Sequence, residues 1–132
     1  MILIVDDEPW YLFAIKDILS LEGFDVYTAT TVSECLEMLT KPDDIEILIL
    51  DVVMPPGSLN LNDTQRGFKT GLVLLNKIRE ISPKLPVVLF SISMDLNSDW
   101  SKDSNTIVVS KADTSPSELV SIIRRLTLKL EV

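Results

Sequence analysis

The sequence predicts a doubly wound α/β fold: a five-stranded parallel sheet with helices on both faces. Three observations point to it. Short apolar runs alternate with amphipathic stretches along the whole chain. The runs are almost continuously hydrophobic, as expected of strands covered on both faces. No internal repeat or low-complexity tract interrupts the alternation, and right-handed crossovers then place successive strands in one sheet. A chain of 132 residues suits a single domain, expected to span 1–132.

Ile2–Val5 is the first strand. Pro9 suits a first helical turn, Leu12, Ile15, Ile18 and Leu19 follow at intervals of three and four, and Gly23 supplies the stop. Asp25–Thr28 is a weaker strand. Thr31-Val32-Ser33-Glu34 reads as a capping box for a helix carrying Cys35, Leu36, Met38 and Leu39. Ile45–Leu50 is a strong third strand. Gly71–Ile81 carries Leu72, Leu75, Ile78 and Ile81 at three-residue intervals, with Leu74 beside them, and ends at Ser82-Pro83. Pro86–Phe90 and Thr106–Val109 complete the strands. Met94–Asn105 is rich in Asp, Asn and Ser, which compete with helix formation, so a short or mobile fourth helix is expected. Ser115-Pro116-Ser117-Glu118 combines an N-cap, a first-turn proline and a capping glutamate, and Leu119, Ile122, Ile123, Leu126 and Leu130 form the last apolar stripe.

Composition removes several chemistries. Without histidine there is no Ser-His-Asp triad, no imidazole base and no His-ligated metal. A single cysteine, Cys35, allows no internal disulfide and no Cys-rich zinc site; it is expected in the core of the second helix. Twenty acids against 12 bases give a charge of −8, which disfavours direct contact with nucleic acid or anionic lipid. No apolar run approaches a membrane span or a signal peptide, so the expected setting is a reducing cytoplasm.

Open sheets of this kind bind ligands at the carboxyl ends of their strands. Asp6, Asp7 and Glu8 follow the first strand, Asp51 the third; Ser91 ends the fourth and Lys111 follows the fifth. Three carboxylates converging there would repel one another, and a hard divalent cation, Mg²⁺, relieves the repulsion while keeping positions for phosphate oxygens. Asp51 is then the candidate nucleophile for a phosphoryl group, with Lys111 and Ser91 meeting its remaining oxygens. Taken singly, each of these residues reads as a turn, cap or surface residue; four strand ends together carry the signal.

The chain resembles the receiver domain of bacterial two-component response regulators, the family of the chemotaxis regulator. The matching pieces are Ile-Leu-Ile-Val-Asp-Asp-Glu-Pro (2–9), Leu-Asp-Val-Val-Met-Pro (50–55), Gly-Leu-Val-Leu-Leu-Asn-Lys-Ile-Arg (71–79), Pro-Val-Val-Leu-Phe-Ser (86–91) and Val-Ser-Lys (109–111). The resemblance implies a flavodoxin-like strand order 2-1-3-4-5. It implies that Asp51 accepts phosphate from a histidine kinase or phosphotransfer protein. It implies Mg²⁺ held by Asp7, Asp51 and the Val53 carbonyl, with Asp6 acting largely through water. Lys111 would contact the phosphoryl group and Ser91 would follow it during switching. The output, a following domain or a separate protein, would be reached through the fourth helix, fifth strand and fifth helix, with a homodimer as one form.

Five departures from the family pattern stand out. The stretch from Asp51 to Gly71 is long, so about 56–70 reads as an inserted loop beside the site, with two readings open: a tolerated surface insertion, or a segment that gates Asp51 or contacts a dedicated partner, with Arg66 and Lys69 as phosphate neighbours. Lys111 is followed by Ala112 where the family often has proline, which leaves the bond geometry open. Val108 stands where a switching aromatic is usual. Val53, two residues past the acceptor, cannot hold a hydrolytic water, which predicts a long-lived acyl phosphate. Ile92 is bulkier than the usual small residue and would narrow the approach to Asp51. Two alternatives compete: a degenerate receiver serving only as an interaction module, and an Mg²⁺-dependent aspartyl phosphohydrolase. The hydrolase would need an acid where Val53 stands.

Overall fold

Alternate residues of the central strands face two different layers of helices, and this alternation builds the molecule. The structure is a computed structural model that describes residues 1–40, 45–91 and 104–131. Strands β1 (Ile2–Val5), β2 (Val26–Ala29), β3 (Ile47–Asp51), β4 (Val87–Ser91) and β5 (Thr106–Ser110) form one parallel sheet in the order β2-β1-β3-β4-β5. Helices α1 (Pro9–Leu21), α2 (Val32–Leu39), α3 (Thr70–Ile81) and α4 (Pro116–Glu131) join them. The stretch expected as a weak helix, 94–105, lies outside the described residues except for 104 and 105.

Leu3 and Val5, Leu48 and Leu50, and Val87 and Leu89 pack with Val32 and Cys35 of α2 and Leu74, Leu75 and Ile78 of α3. Ile2 and Ile4, Ile47 and Ile49, and Val88 and Phe90 face the other way, onto Leu12, Ile15 and Leu19 of α1 and Leu119, Val120 and Ile123 of α4. This is the period-two geometry of strands read twice, once per face. Burial on both faces holds for β1 and β3. It fails at the sheet edges, where only one neighbouring strand covers the backbone: Tyr27 of β2 and Val108 of β5 are exposed.

The caps form as the sequence implies. The Thr31 hydroxyl accepts the Glu34 N–H at 3.1 Å, and the Ser115 hydroxyl accepts the Glu118 N–H at 3.2 Å. Gly23 ends α1 in the left-handed region at φ 94°. The three-residue pattern expected for α3 does not survive as one stripe: Leu74, Leu75 and Ile78 are buried, Leu72 is half-buried and Ile81 is exposed. In a helix of about 3.6 residues per turn, Leu72 and Ile81 lie about 180° apart, so they cannot share a face.

Gly71 fixes how α3 meets the sheet. Its N–H donates to the Val52 carbonyl at 2.8 Å. A Cβ there would collide with the Asp51 carbonyl oxygen and lie 2.6 Å from Val52 Cα. Only glycine allows the first turn of α3 so close to the end of β3, and that contact holds Asp51 in place.

Candidate functional site

The carboxyl ends of β1, β3 and β5 meet at one edge. Asp6 follows β1 and is buried, with its N–H donating to the Ala29 carbonyl at 3.1 Å. Asp6 Oδ1 accepts the Glu8 N–H at 2.9 Å, a local turn that starts α1. Asp51, the last residue of β3, is also buried. Asp7 is half-buried beside them, and one carboxylate oxygen from each of Asp6, Asp7 and Asp51 lies within 4.8 Å of the others.

Lys111 reaches in from the turn after β5. Its Nζ donates to Asp6 Oδ2 at 2.9 Å and to Asp51 Oδ2 at 3.5 Å, and stands 3.9 Å from Glu8 Oε1. It also lies 4.3 Å from the centre of the Tyr11 ring, which meets Phe90 edge-on at 6.3 Å. Sequence reading had missed Tyr11. The only signal was an aromatic one turn into α1, and such residues are ordinarily core. No described peptide bond is cis, so the turn after Lys111 keeps a trans backbone.

The electrostatics are those of an overloaded anionic site. Burial, then the charge of Asp6, pushes the Asp51 carboxyl up to about 7 against the pull of Lys111. Burial also raises Asp7, with Asp6 and Glu8 adding to the rise and a backbone hydrogen bond opposing it. Burial alone would lower Lys111, but its hydrogen bond to Asp6 and the charges of Asp51, Asp6 and Glu8 outweigh that and raise it. Asp51 Oδ1 is buried without a donor among the described residues. A buried acceptor of this kind normally has a partner. Three carboxylates that each offer a hard oxygen, one of them carrying an unsatisfied oxygen, fit a small divalent cation such as Mg²⁺.

Of the residues singled out in the sequence, the structure brings Asp6, Asp7, Asp51 and Lys111 together. The backbone of Ser91 ends β4 in register with Ser110, while its side chain and Ile92 lie outside the described residues. Val53 lines a cleft of about 420 Å³ with Asp7, Glu8, Arg66 and Phe68. Lys69 does not line that cleft; it precedes the first residue of α3.

The profile of the response regulator receiver domain matches residues 2–121. The chain belongs to the response regulator receiver family. Its fold places it with solved receivers: it superposes on a response regulator receiver domain protein from Clostridium thermocellum with a TM-score of 0.78 and 26% identity, covering 98% of this chain and 95% of that one. TrrA of Thermotoga maritima matches at 26% identity over 95% of this chain and 96% of its own. Its structures are a complex with Mg²⁺ and BeF, TM-score 0.69, and a complex with the histidine kinase ThkA, TM-score 0.72. The transcriptional regulatory protein CpxR of Escherichia coli K12 is 34% identical over 76 residues, which cover 56% of this chain and 32% of CpxR. The match thus spans about a third of that curated relative. This receiver is a two-component signalling module, and no helix among its described residues is long and apolar enough to cross a membrane.

Proposed function

We propose that this receiver takes a phosphoryl group onto Asp51 from a phosphohistidine donor, with Mg²⁺ held by Asp7, Asp51 and the Val53 carbonyl and with Asp6 acting through bound water. The observation that carries the reading is the buried Asp51 Oδ1, without a donor among the described residues, inside the Asp6-Asp7-Asp51 cluster and next to a cation already within reach. In the transfer, an Asp51 carboxylate oxygen attacks phosphorus and the phosphorus–nitrogen bond to the donor imidazole breaks, leaving an acyl phosphate on Asp51 and the imidazole free. A bound divalent cation supplies charge neutralisation for the carboxylates and the phosphoryl oxygens. Lys111 moves its Nζ from Asp6 and Asp51 to a phosphoryl oxygen, and the Ser91 hydroxyl donates to another.

The chain acts as one domain over 1–132, with an insertion at about 56–70. Its conformational change passes to an output domain or partner through β5, the helix after it and the residues between β4 and β5. TrrA in complex with a histidine kinase supports a kinase as the donor. Incubation with Mg²⁺ and acetyl phosphate, followed by intact-mass measurement, tests the reading. Wild type should gain one phosphoryl group and Asp51→Ala none. No gain in wild type points to an interaction module, and steady turnover of external phosphoesters points to a hydrolase.

A further inference from the structure

The segment between β3 and α3 is built more tightly than a tolerated loop requires. Asn60 Oδ1 accepts the N–H groups of Asn62 and Asp63 at 2.8 and 3.0 Å. The fully buried Thr64 donates its hydroxyl to the Asn60 carbonyl at 2.9 Å. Met54 N–H donates to the Gly67 carbonyl at 3.1 Å, and the Thr70 hydroxyl donates to the Met54 carbonyl at 2.5 Å, so both ends are clamped to the turn that carries Val53. Within this frame Gln65 and Arg66 sit at φ 50° and 57°, left-handed conformations that side-chain-bearing residues rarely adopt and that persist only when the surroundings impose them. The Arg66 N–H donates to the Leu61 carbonyl at 2.9 Å, and the Lys69 N–H to the Thr64 carbonyl at 2.7 Å.

The result is a backbone held in a defined place beneath a cationic side chain. Arg66 lines the cleft with Asp7, Glu8 and Val53, is exposed, and makes no ion pair among the described residues. It is the one cationic side chain among the described residues lining that cleft. Lys111, the other cation near the acids, is already engaged by Asp6 and Asp51. An incoming donor carries a dianionic phosphoryl group toward a site that already holds three carboxylates. Resting on the phosphoacceptor reading of Asp51, we propose that Arg66 is a specificity-determining residue that captures the phosphoryl oxygens of the donor at the mouth of the site before transfer. The recognised chemistry is the dianionic phosphoryl group shared by acyl phosphates and phosphoimidazoles. Arg66 exchanges no proton; the bond formed is phosphorus to Asp51 oxygen, and the bond broken is phosphorus to the leaving oxygen or nitrogen.

The test uses the full chain with Mg²⁺ and two donors, acetyl phosphate and phosphoramidate, comparing wild type with Arg66→Gln and Arg66→Lys. Arg66→Gln should raise the half-saturating concentration of both donors about fivefold while leaving the maximal rate near wild type, and the difference should shrink in high salt. Arg66→Lys should recover most of the loss. Mg²⁺ affinity, read from intrinsic tryptophan fluorescence, and melting temperature should stay unchanged in both variants, which separates donor capture from a structural role. Equal half-saturation in Arg66→Gln, or a loss confined to acetyl phosphate, overturns the proposal. If wild type takes a phosphoryl group from neither donor, the reading of Asp51 falls and takes the role of Arg66 with it.

Discussion

Two cations stand at the acidic edge of the sheet, Lys111 against Asp6 and Asp51 and Arg66 in the cleft lined by Asp7 and Glu8, and they are held in opposite ways. Lys111, on the turn after β5, is enclosed by Asp6, Asp51, Glu8 and the face of Tyr11, with 7% of its side chain exposed. Arg66, on the segment before α3, is open to solvent and unpaired among the described residues, yet its backbone is pinned in a left-handed turn. The contrast shows two ways of placing positive charge. At Lys111 the side chain is fixed by its partners, so its charge is spent on the resting protein. At Arg66 the backbone is fixed and the charge is uncommitted among the described residues.

The strongest way to disturb the first arrangement is to remove the charge that Lys111 answers. Unfolded Asp51 titrates near the ordinary 3.8, whereas the folded residue titrates near 7. Between those values the folded state holds more protons than the unfolded one, so the residue costs stability as pH rises. Asp51→Asn should therefore give no gain near pH 4 and a gain growing to on the order of 2–4 kcal/mol by pH 8, in the absence of Mg²⁺. Thermal unfolding across that range checks it, and saturating Mg²⁺ should shrink the difference. A gain that does not grow with pH would mean Asp51 is not the strained group.

Lys111→Met breaks the arrangement from the other side. It leaves Asp6 and Asp51 buried and uncompensated, and should cost on the order of 3 kcal/mol at pH 8, with partial recovery on acidification as Asp51 protonates. Urea unfolding at two pH values measures it. The second arrangement yields to Thr70→Val, which leaves the Met54 carbonyl without its hydroxyl donor. The expected loss is about 1–2 kcal/mol by urea unfolding. With its clamp gone, the segment should also blunt the difference between wild type and Arg66→Gln toward acetyl phosphate.

The smallest effect sharpens what the ring contributes. Tyr11→Leu removes the face over Lys111 and should weaken beryllofluoride binding in the presence of Mg²⁺ by about 1 kcal/mol, while Tyr11→Phe stays near wild type. Mg²⁺ titration alone should read the same for all three. Equal beryllofluoride affinity in Tyr11→Leu would reduce the contact to ordinary packing.

Local signals with a short physical range were legible in the sequence. Apolar runs of four to six residues announced the strands, Thr31 and Ser115 announced the caps, and charged residues at strand ends announced Asp6, Asp7, Asp51 and Lys111. Edge exposure was not legible at Val108, which sits in the apolar run Thr106–Val109 and is left uncovered only by sheet order; at Tyr27 the weaker apolar content of its strand was the one hint. Tyr11 was not legible either. Its partner Lys111 is 100 positions away in the chain, and nothing in the periodicity of α1 distinguishes a ring over an ammonium from a ring in the core.

Among the described residues the sequence alone settled the order of strands and helices, their bounds to within one or two residues and the polar groups near strand ends, because periodicity, caps and turn residues act over a few positions. Only the tertiary structure decided that Asp51 would keep an oxygen without a donor among the described residues, that Gly71 would bring α3 against its backbone, and that Arg66 would share a cleft with Asp7 while Lys69 did not. Those outcomes depend on distances between segments far apart in the chain, and such distances exist only once the sheet has ordered its strands and both faces are covered.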